Sequence, residues 1–204
     1  MSNLTDPLVQ IGDVSRRDAL RSIALAVTVV AGGQLKLEAA QQVHAHAREE
    51  KSKTGSYKAK LFSEHEFKTL GRLAELIVPA DSVSGSARDA GAPEFIDLLT
   101  SENKDYQAVL GGGIMWLDGA CIDRYGKVYL DCAPEQQKAI LDKIAYRKNA
   151  AADSSLSQGV QFFSFLRNMT ADGFFTSEIG IKYLGYIGNT FVKEFPGCPA
   201  VPEA

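Results

Sequence analysis

The sequence predicts an all-α fold, a compact single-domain helical bundle with long loops and an irregular C-terminal tail. Apolar residues recur at helical spacing, as Leu70, Leu73 and Ile77 do. Pro93 and Pro134 each begin a predicted helical stretch, and proline is well tolerated in the first turn of a helix. The alternation of apolar and polar residues that marks a half-buried strand is not sustained anywhere. The 204 residues, 45% of them hydrophobic, suffice for one core.

The N-terminal residues have the order of an export signal. A basic segment precedes an uncharged stretch of 14 residues, Ser22 to Leu35, which is shorter than the roughly 20 residues that span a bilayer. The basic segment resembles the twin-arginine export motif, and its matching residues are Ser15, Arg16, Arg17, Leu20 and Arg21. Ala19 departs from the phenylalanine usual in that motif. The alternative is a buried amphipathic helix with a chance arginine pair, although the stretch has no polar face.

Cleavage of this signal is predicted after Ala47, because Ala45 and Ala47 form a small-residue A-x-A pattern. The signal peptide then covers residues 1–47. Residues 48–60, rich in Lys, Glu and Ser, are expected to form a flexible lead-in to a helical domain over 61–204. The long segment before Ala47 leaves the alternative that the signal is kept as an anchor.

The twin-arginine route carries proteins that are already folded, often around a cofactor or onto a partner that holds one. We therefore expect passage through the twin-arginine translocase. The expected location is the periplasm or the periplasmic face of the inner membrane.

The helices of the domain are marked by their ends. Ser63 and Glu66 have the spacing of a capping box, and Pro79 ends the helix that they begin. Three further helices are predicted over about residues 105–125, from Pro134, and over about 157–175. Residues 80–92 and the chain from Thr176 onward, both punctuated by glycine, are expected to be loops. The triple glycine 111–113 indicates a kink or a close helix crossing.

The predicted exported chain contains few groups for catalysis. Of three histidines, His44 and His46 leave with the signal, and His65 is expected to be an exposed residue at a helix start. No Ser-His-Asp set, no C-x-x-C and no G-x-G-x-x-G after a strand is evident. We therefore expect no catalytic residue, cofactor or metal site in this chain. A net charge of −3 and a pI near 5.7 argue against nucleic-acid binding.

The cysteines suggest a disulfide, because an exported protein reaches an oxidising compartment. Cys121 and Cys132 are the most local pair and would close a short loop worth about 2–3 kcal/mol. Pairing of either with Cys198, or free buried thiols, are the alternatives.

The aromatic residues concentrate near the C-terminus. Tyr183, Tyr186, Phe191 and Phe195 lie where glycine and proline weaken regular structure. Such residues either cover the core of their own domain or pack on a partner.

Several segments, in this order and spacing, resemble the gluconate 2-dehydrogenase subunit 3 family over roughly residues 62–199. They are Phe62-Ser63-x-x-Glu66-Phe67-x-x-Leu70, Ile77-Val78-Pro79-Ala80-Asp81, Ala87 to Asp97, Pro134-Glu135-Gln136-Gln137, Phe162-Phe163-x-x-Leu166-x-x-Met169-Thr170-x-x-Gly173-Phe174-Phe175, and Phe195-Pro196-Gly197-Cys198-Pro199. The resemblance implies a small, non-catalytic subunit that helps a large FAD-binding subunit to fold and shares its export signal with it. It also implies a possible multihaem cytochrome c subunit as a further partner.

Two main hypotheses follow. In the first, the chain is an escort for an exported sugar or sugar-acid dehydrogenase, and it meets its partner through Arg88, Asp89, Pro93, Glu94 and the aromatic tail. In the second, it is a stand-alone exported enzyme or ligand-binding protein that uses residues 80–97, with Asp97 added to the polar set. A structural envelope protein is a third, weaker hypothesis.

Overall fold

The computed structural model describes residues 37–187, and the predicted all-α fold is confirmed there: no strand occurs in this part of the chain. The eight α-helices in this range are α1 (Leu37–Thr54), α2 (Glu64–Ile77), α3 (Ala92–Ser101), α4 (Lys104–Tyr125), α5 (Pro134–Ile144), α6 (Arg147–Ala152), α7 (Ser157–Phe175) and α8 (Glu178–Tyr183). Two short 3₁₀ turns, Tyr129–Asp131 and Ser154–Leu156, connect neighbouring helices.

The start of α2 is fixed by the predicted capping box. The Ser63 hydroxyl accepts a hydrogen bond from the Glu66 amide, and the Glu66 carboxylate accepts one from the Ser63 amide at 2.8 Å. Two N-terminal amides are thereby satisfied. Leu70 and Leu73 are then turned fully into the core.

The segment that leads into α2 is bound to α3 by one buried carboxylate. Asp97 accepts hydrogen bonds from the Tyr57 hydroxyl at 2.7 Å and from the amides of Lys60, Leu61 and Phe62 at 2.6, 3.1 and 3.2 Å. A buried carboxylate with four donors is well satisfied. Asp97 therefore holds the fold together, and its oxygens are already used rather than free for a ligand.

The core is built around α7, which packs against α3, α4 and α5. Gly113 lies where α4 crosses α7, and an added Cβ there would overlap the Phe162 ring. Gly111 has open space beside it. Of the two interpretations of the triple glycine, the close helix crossing therefore applies at Gly113.

A second, smaller cluster joins the end of α7 to the loop before α3. Phe174 packs there with small side chains: Ala74, Ala87, Ala90 and Ala92. Val78 and Ile179 cover this cluster in part. Small residues let the loop lie close to the helices, so its backbone is positioned by packing as well as by hydrogen bonds.

Two segments differ from the expectation. Residues 48–54, expected in a flexible lead-in, are the last turns of α1, and residues 57–62 are bound by Asp97. Ala40, Val43 and Ala47 bury one face of α1 at helical spacing, which explains why this segment is a helix. Residues after Thr176, expected as loop, include the short helix α8.

Candidate functional site

The loop before α3 is held by its own side chains. Asp81 accepts hydrogen bonds from the amides of Val83 and Ser84 at 2.7 and 2.8 Å. Asp89 accepts from the Ser86 amide at 2.9 Å and from its hydroxyl at 2.7 Å. Bonds from Ser84 and Val83 lower the pKa of Asp81, and those from Ser86 lower the pKa of Asp89, because they favour the ionised form. Between the two turns, Val83 is 75% exposed.

The other predicted residues of this region lie in the loop and in the first turn of α3. Pro93 is buried and occupies the helix start, whereas Arg88 is exposed. Glu94 is partly buried, and its Oε2 has no hydrogen-bond partner among the described residues. Burial raises the pKa of Glu94, while its own backbone amide and the nearby cations Lys51 and Arg88 act in the opposite direction. Glu94 is thus a carboxylate with unused hydrogen-bonding capacity.

Helix α1 brings His44 and two cations to the same region. The His44 ring stacks on Phe95 with centroids 4.9 Å apart, and its Nε2 lies 3.2 Å from the Thr176 hydroxyl oxygen. That hydroxyl donates to the Asp172 carbonyl at 2.6 Å, so it accepts from His44. Burial, with the positive charge of Arg48 as the second cause, lowers the pKa of His44 to about 4. His44 is therefore neutral near pH 7.

Helix α8 closes the region from the C-terminal side. The Ser177 hydroxyl accepts from the Gly180 amide at 3.0 Å and donates to the Phe174 carbonyl at 2.6 Å. Beyond this cap, the Tyr183 ring lies edge-on to Phe174 at 6.3 Å. The large apolar side chains that α8 and its neighbours leave exposed are Phe175, Tyr183, Leu184, Tyr186 and Ile187.

These elements enclose a pocket of about 170 Å³. Helix α1 contributes His44, Arg48 and Lys51, the loop and α3 contribute Asp89 and Glu94, and the start of α8 contributes Ser177, Glu178 and Ile179. Arg48 forms an ion pair with Glu178 across the pocket edge. Both charge signs therefore line the pocket. We call residues 80–94 together with 177–187 the loop–α8 surface.

The structure brings together part of the predicted set. Asp89 and Glu94 line the pocket, and Arg88 and Pro93 adjoin them in the chain. Tyr183 and Tyr186 lie on α8 and just beyond it, while Phe191 and Phe195 lie outside the described residues, as do Ser15, Arg16, Arg17, Leu20 and Arg21. Sequence reasoning missed His44, Arg48 and Lys51, because it assigned the first to a removed signal and the others to a lead-in. The helical spacing of Ala40, Val43 and Ala47 was the signal that could have found them.

Cys121 and Cys132 are free, buried thiols next to each other. Burial, then the neighbouring Cys132, raises the pKa of Cys121 to about 12, so its thiol is protonated and poorly nucleophilic. Their proximity is compatible with the predicted disulfide, which stays a prediction. Cys198 lies outside the described residues.

His65 has a partner that its sequence context did not indicate. Its Nε2 lies 2.6 Å from Asp118 Oδ2, and Asp118 Oδ1 accepts from the Tyr129 amide at 2.9 Å. The pair connects the start of α2 to α4 and the following 3₁₀ turn. We interpret the pair as a structural contact between helices, since the His65 ring and the Tyr129 amide use both oxygens of the Asp118 carboxylate.

Residues 37–187 contain neither a candidate metal site nor a candidate membrane span. No group of three or more His, Cys, Asp or Glu side chains is close enough to hold a metal ion. No helix in this part of the chain is both long and apolar enough to cross a membrane.

Comparison with known proteins gives one match. Residues 64–197 match the family model described as Gluconate 2-dehydrogenase subunit 3. The match spans all the helices from α2 to α8 and includes both the loop before α3 and the chain beyond Tyr183. No curated protein and no solved structure matches the chain significantly.

Proposed function

Because the chain belongs to the gluconate 2-dehydrogenase subunit 3 family, we propose that it is the non-catalytic small subunit of an exported FAD-dependent sugar or sugar-acid dehydrogenase. In this proposal it helps the large FAD-binding subunit to fold and accompanies it through the twin-arginine translocase. The FAD belongs to that large subunit, and haem c to a cytochrome subunit that receives the electrons. The assembled enzyme works in the periplasm or at the periplasmic face of the inner membrane.

The observation that carries the proposal is the loop–α8 surface within the matched region. Val83 is 75% exposed and Ile187 is 83% exposed, and Tyr183 and Leu184 are exposed as well. Exposed aromatic and aliphatic side chains beside charged ones are typical of protein interfaces. Arg88 and Asp89 are exposed charged residues in the same loop as Val83.

Hydrogen bonds within the loop and at the start of α8 fix the conformation of the loop–α8 surface. The Ser86–Asp89 and Asp81 turns fix the loop, and the Ser177 cap fixes α8. A preformed surface loses little conformational entropy on binding, which favours a stable complex. The twin-arginine motif at residues 15–21 supplies the export part of the proposal.

The test is co-expression with the large FAD-binding subunit of the proposed complex. We expect folded, active large subunit in the periplasm with the wild-type chain, and a loss of at least tenfold with the double variant Leu184→Asp and Ile187→Asp, because buried charges oppose docking. The matched control is Met115→Asp with Ile122→Asp, two exposed apolar residues on α4, which should leave export unchanged. Active large subunit in the periplasm without this chain would contradict the escort role.

A second candidate function is favoured by the unpartnered Oε2 of Glu94 beside Lys51 and Arg48. In this hypothesis the pocket binds a small polar ligand, and the chain acts alone. Native mass spectrometry of the purified full chain would decide the matter. A bound small molecule that Glu94→Gln releases supports this function, and a ligand-free wild-type chain contradicts it.

A further inference from the structure

Helix α1 is packed into the folded domain along one face. Ala40 and Val43 are fully buried, and His44 and Ala47 nearly so. Their spacing of three, one and three residues is that of one helical face, and that face lies on α3, where His44 stacks on Phe95. A cut after Ala47 would remove all four of these side chains from the core.

The peptide bond after Ala47 is badly placed for a peptidase. It lies in the middle of an 18-residue helix, with Ala47 itself buried. Proteolysis concentrates at exposed, irregular segments, since a peptide must become extended to enter an active site. The bond therefore becomes available only when α1 leaves the domain and unwinds.

Contacts on the C-terminal side of this bond keep α1 in place. Arg48 pairs with Glu178 of α8, and Glu50 pairs with Lys60 at 2.6 Å. These ion pairs are partly exposed and individually weak. They nevertheless join α1 to α8 and to the segment that leads into α2, so a local opening at Ala47 must break them together with the buried contacts.

We propose that α1 is a permanent part of the folded subunit, so that the chain is not cut after Ala47 and any cut that releases an export signal falls before Leu37. The inference rests on the proposed function, because proteins exported by the twin-arginine route fold before they cross the membrane. A peptidase on the periplasmic side of the inner membrane would therefore encounter a chain in which α1 is already packed on α3. His44, Arg48 and Lys51 stay beside Glu94 in the exported subunit, and the pocket stays complete.

The cellular test is the N-terminus of the exported chain, read by intact mass and N-terminal sequencing. The wild type and the control Gln42→Asp, an exposed α1 position, should begin at or before Leu37. Val43→Asp places a charge on the buried face and should yield a new N-terminus at Arg48. A wild-type N-terminus anywhere after Leu37 overturns the inference.

A second measurement does not depend on export or on any variant that folds poorly. The purified full-length chain is treated with trypsin, and cleavage after Arg48 is compared with cleavage after Lys58, an exposed residue outside the helices. We expect cleavage after Arg48 to be at least about tenfold slower. Equal rates overturn the docking of α1. If the chain is never exported but cleavage after Arg48 is still slow, the proposed function is contradicted and the docking of α1 is not.

Discussion

His44 shows how a single side chain couples the position of α1 to pH. It is buried against Phe95, and its Nε2 lies within hydrogen-bond distance of the Thr176 hydroxyl. Burial favours the neutral ring, so the folded state takes up a proton at a lower pH than the unfolded state does. Protonation of His44 therefore disfavours the folded state in which α1 is docked on α3.

We predict that this histidine makes the domain less stable in mild acid. Its pKa falls from 6.5 in the unfolded chain to about 4 in the folded one. The free energy of unfolding should therefore decrease as the pH falls from 6.5 to 4, by about 3 kcal/mol, and then level off. Urea titrations of the wild type and of His44→Gln across this range measure the effect, because glutamine keeps a donor without titrating. Parallel curves for the two proteins would contradict the assignment.

Asp97 fixes the conformation of the segment between α1 and α2 through hydrogen bonds. Its carboxylate satisfies the Tyr57 hydroxyl and three consecutive backbone amides, and no other side chain replaces it. Such partners, once left unsatisfied and buried, are costly.

We predict that Asp97→Ala destabilises the domain by about 3 kcal/mol or more, because several buried donors lose their acceptor together. Asp123→Ala on α4 is the matched control, since Asp123 is exposed, and it should change stability by less than about 0.5 kcal/mol. The free energies of unfolding in urea test both values. A similar, small effect of the two substitutions would show that the Asp97 bonds are replaced by water.

At the scale of elements, sequence patterns predicted the helices whose ends carry local signals. Ser63 and Glu66 mark α2, and Pro93 marks α3, because capping and proline effects act within one turn. Helix α1 was missed, since two of its four buried residues are alanines and the helix follows an export motif. Helix α8 was missed because Gly180 suggested a loop, whereas Gly180 is small enough to lie against the Phe174 carbonyl.

The crossing of α4 and α7 yields a prediction in which two neighbouring glycines respond with opposite sign. Gly113→Ala should destabilise by about 1–3 kcal/mol, because the new methyl overlaps the Phe162 ring. Gly111→Ala, in open space on the same helix, should stabilise by about 0.5–1 kcal/mol through helix propensity. Urea midpoints of the two variants test this. Stabilisation by both would mean that α4 and α7 separate easily.

At the scale of the whole molecule, the candidate site is assembled from parts far apart in sequence. Lys51 and Glu94 are brought together by the packing of α1 on α3, and Glu178 joins them from the other end of the chain. Sequence alone predicted Asp89 and Glu94, which lie in one continuous segment formed by the loop and the first turn of α3. The remaining lining residues are brought there by tertiary packing. The spacing of Ala40, Val43 and Ala47 indicates a buried helical face, but it does not say which element that face packs on.

The last prediction concerns how the assembled surface behaves when the partner binds. If the loop–α8 surface is the interface, amide hydrogen exchange in residues 80–91 and 178–187 should slow by at least about tenfold in the complex with the large FAD-binding subunit, because local opening is suppressed by docking. Residues 115–122 of α4, which also expose apolar side chains, provide the internal control and should exchange equally in both states. Protection confined to α4 would move the interface there and leave the loop–α8 surface without its proposed role.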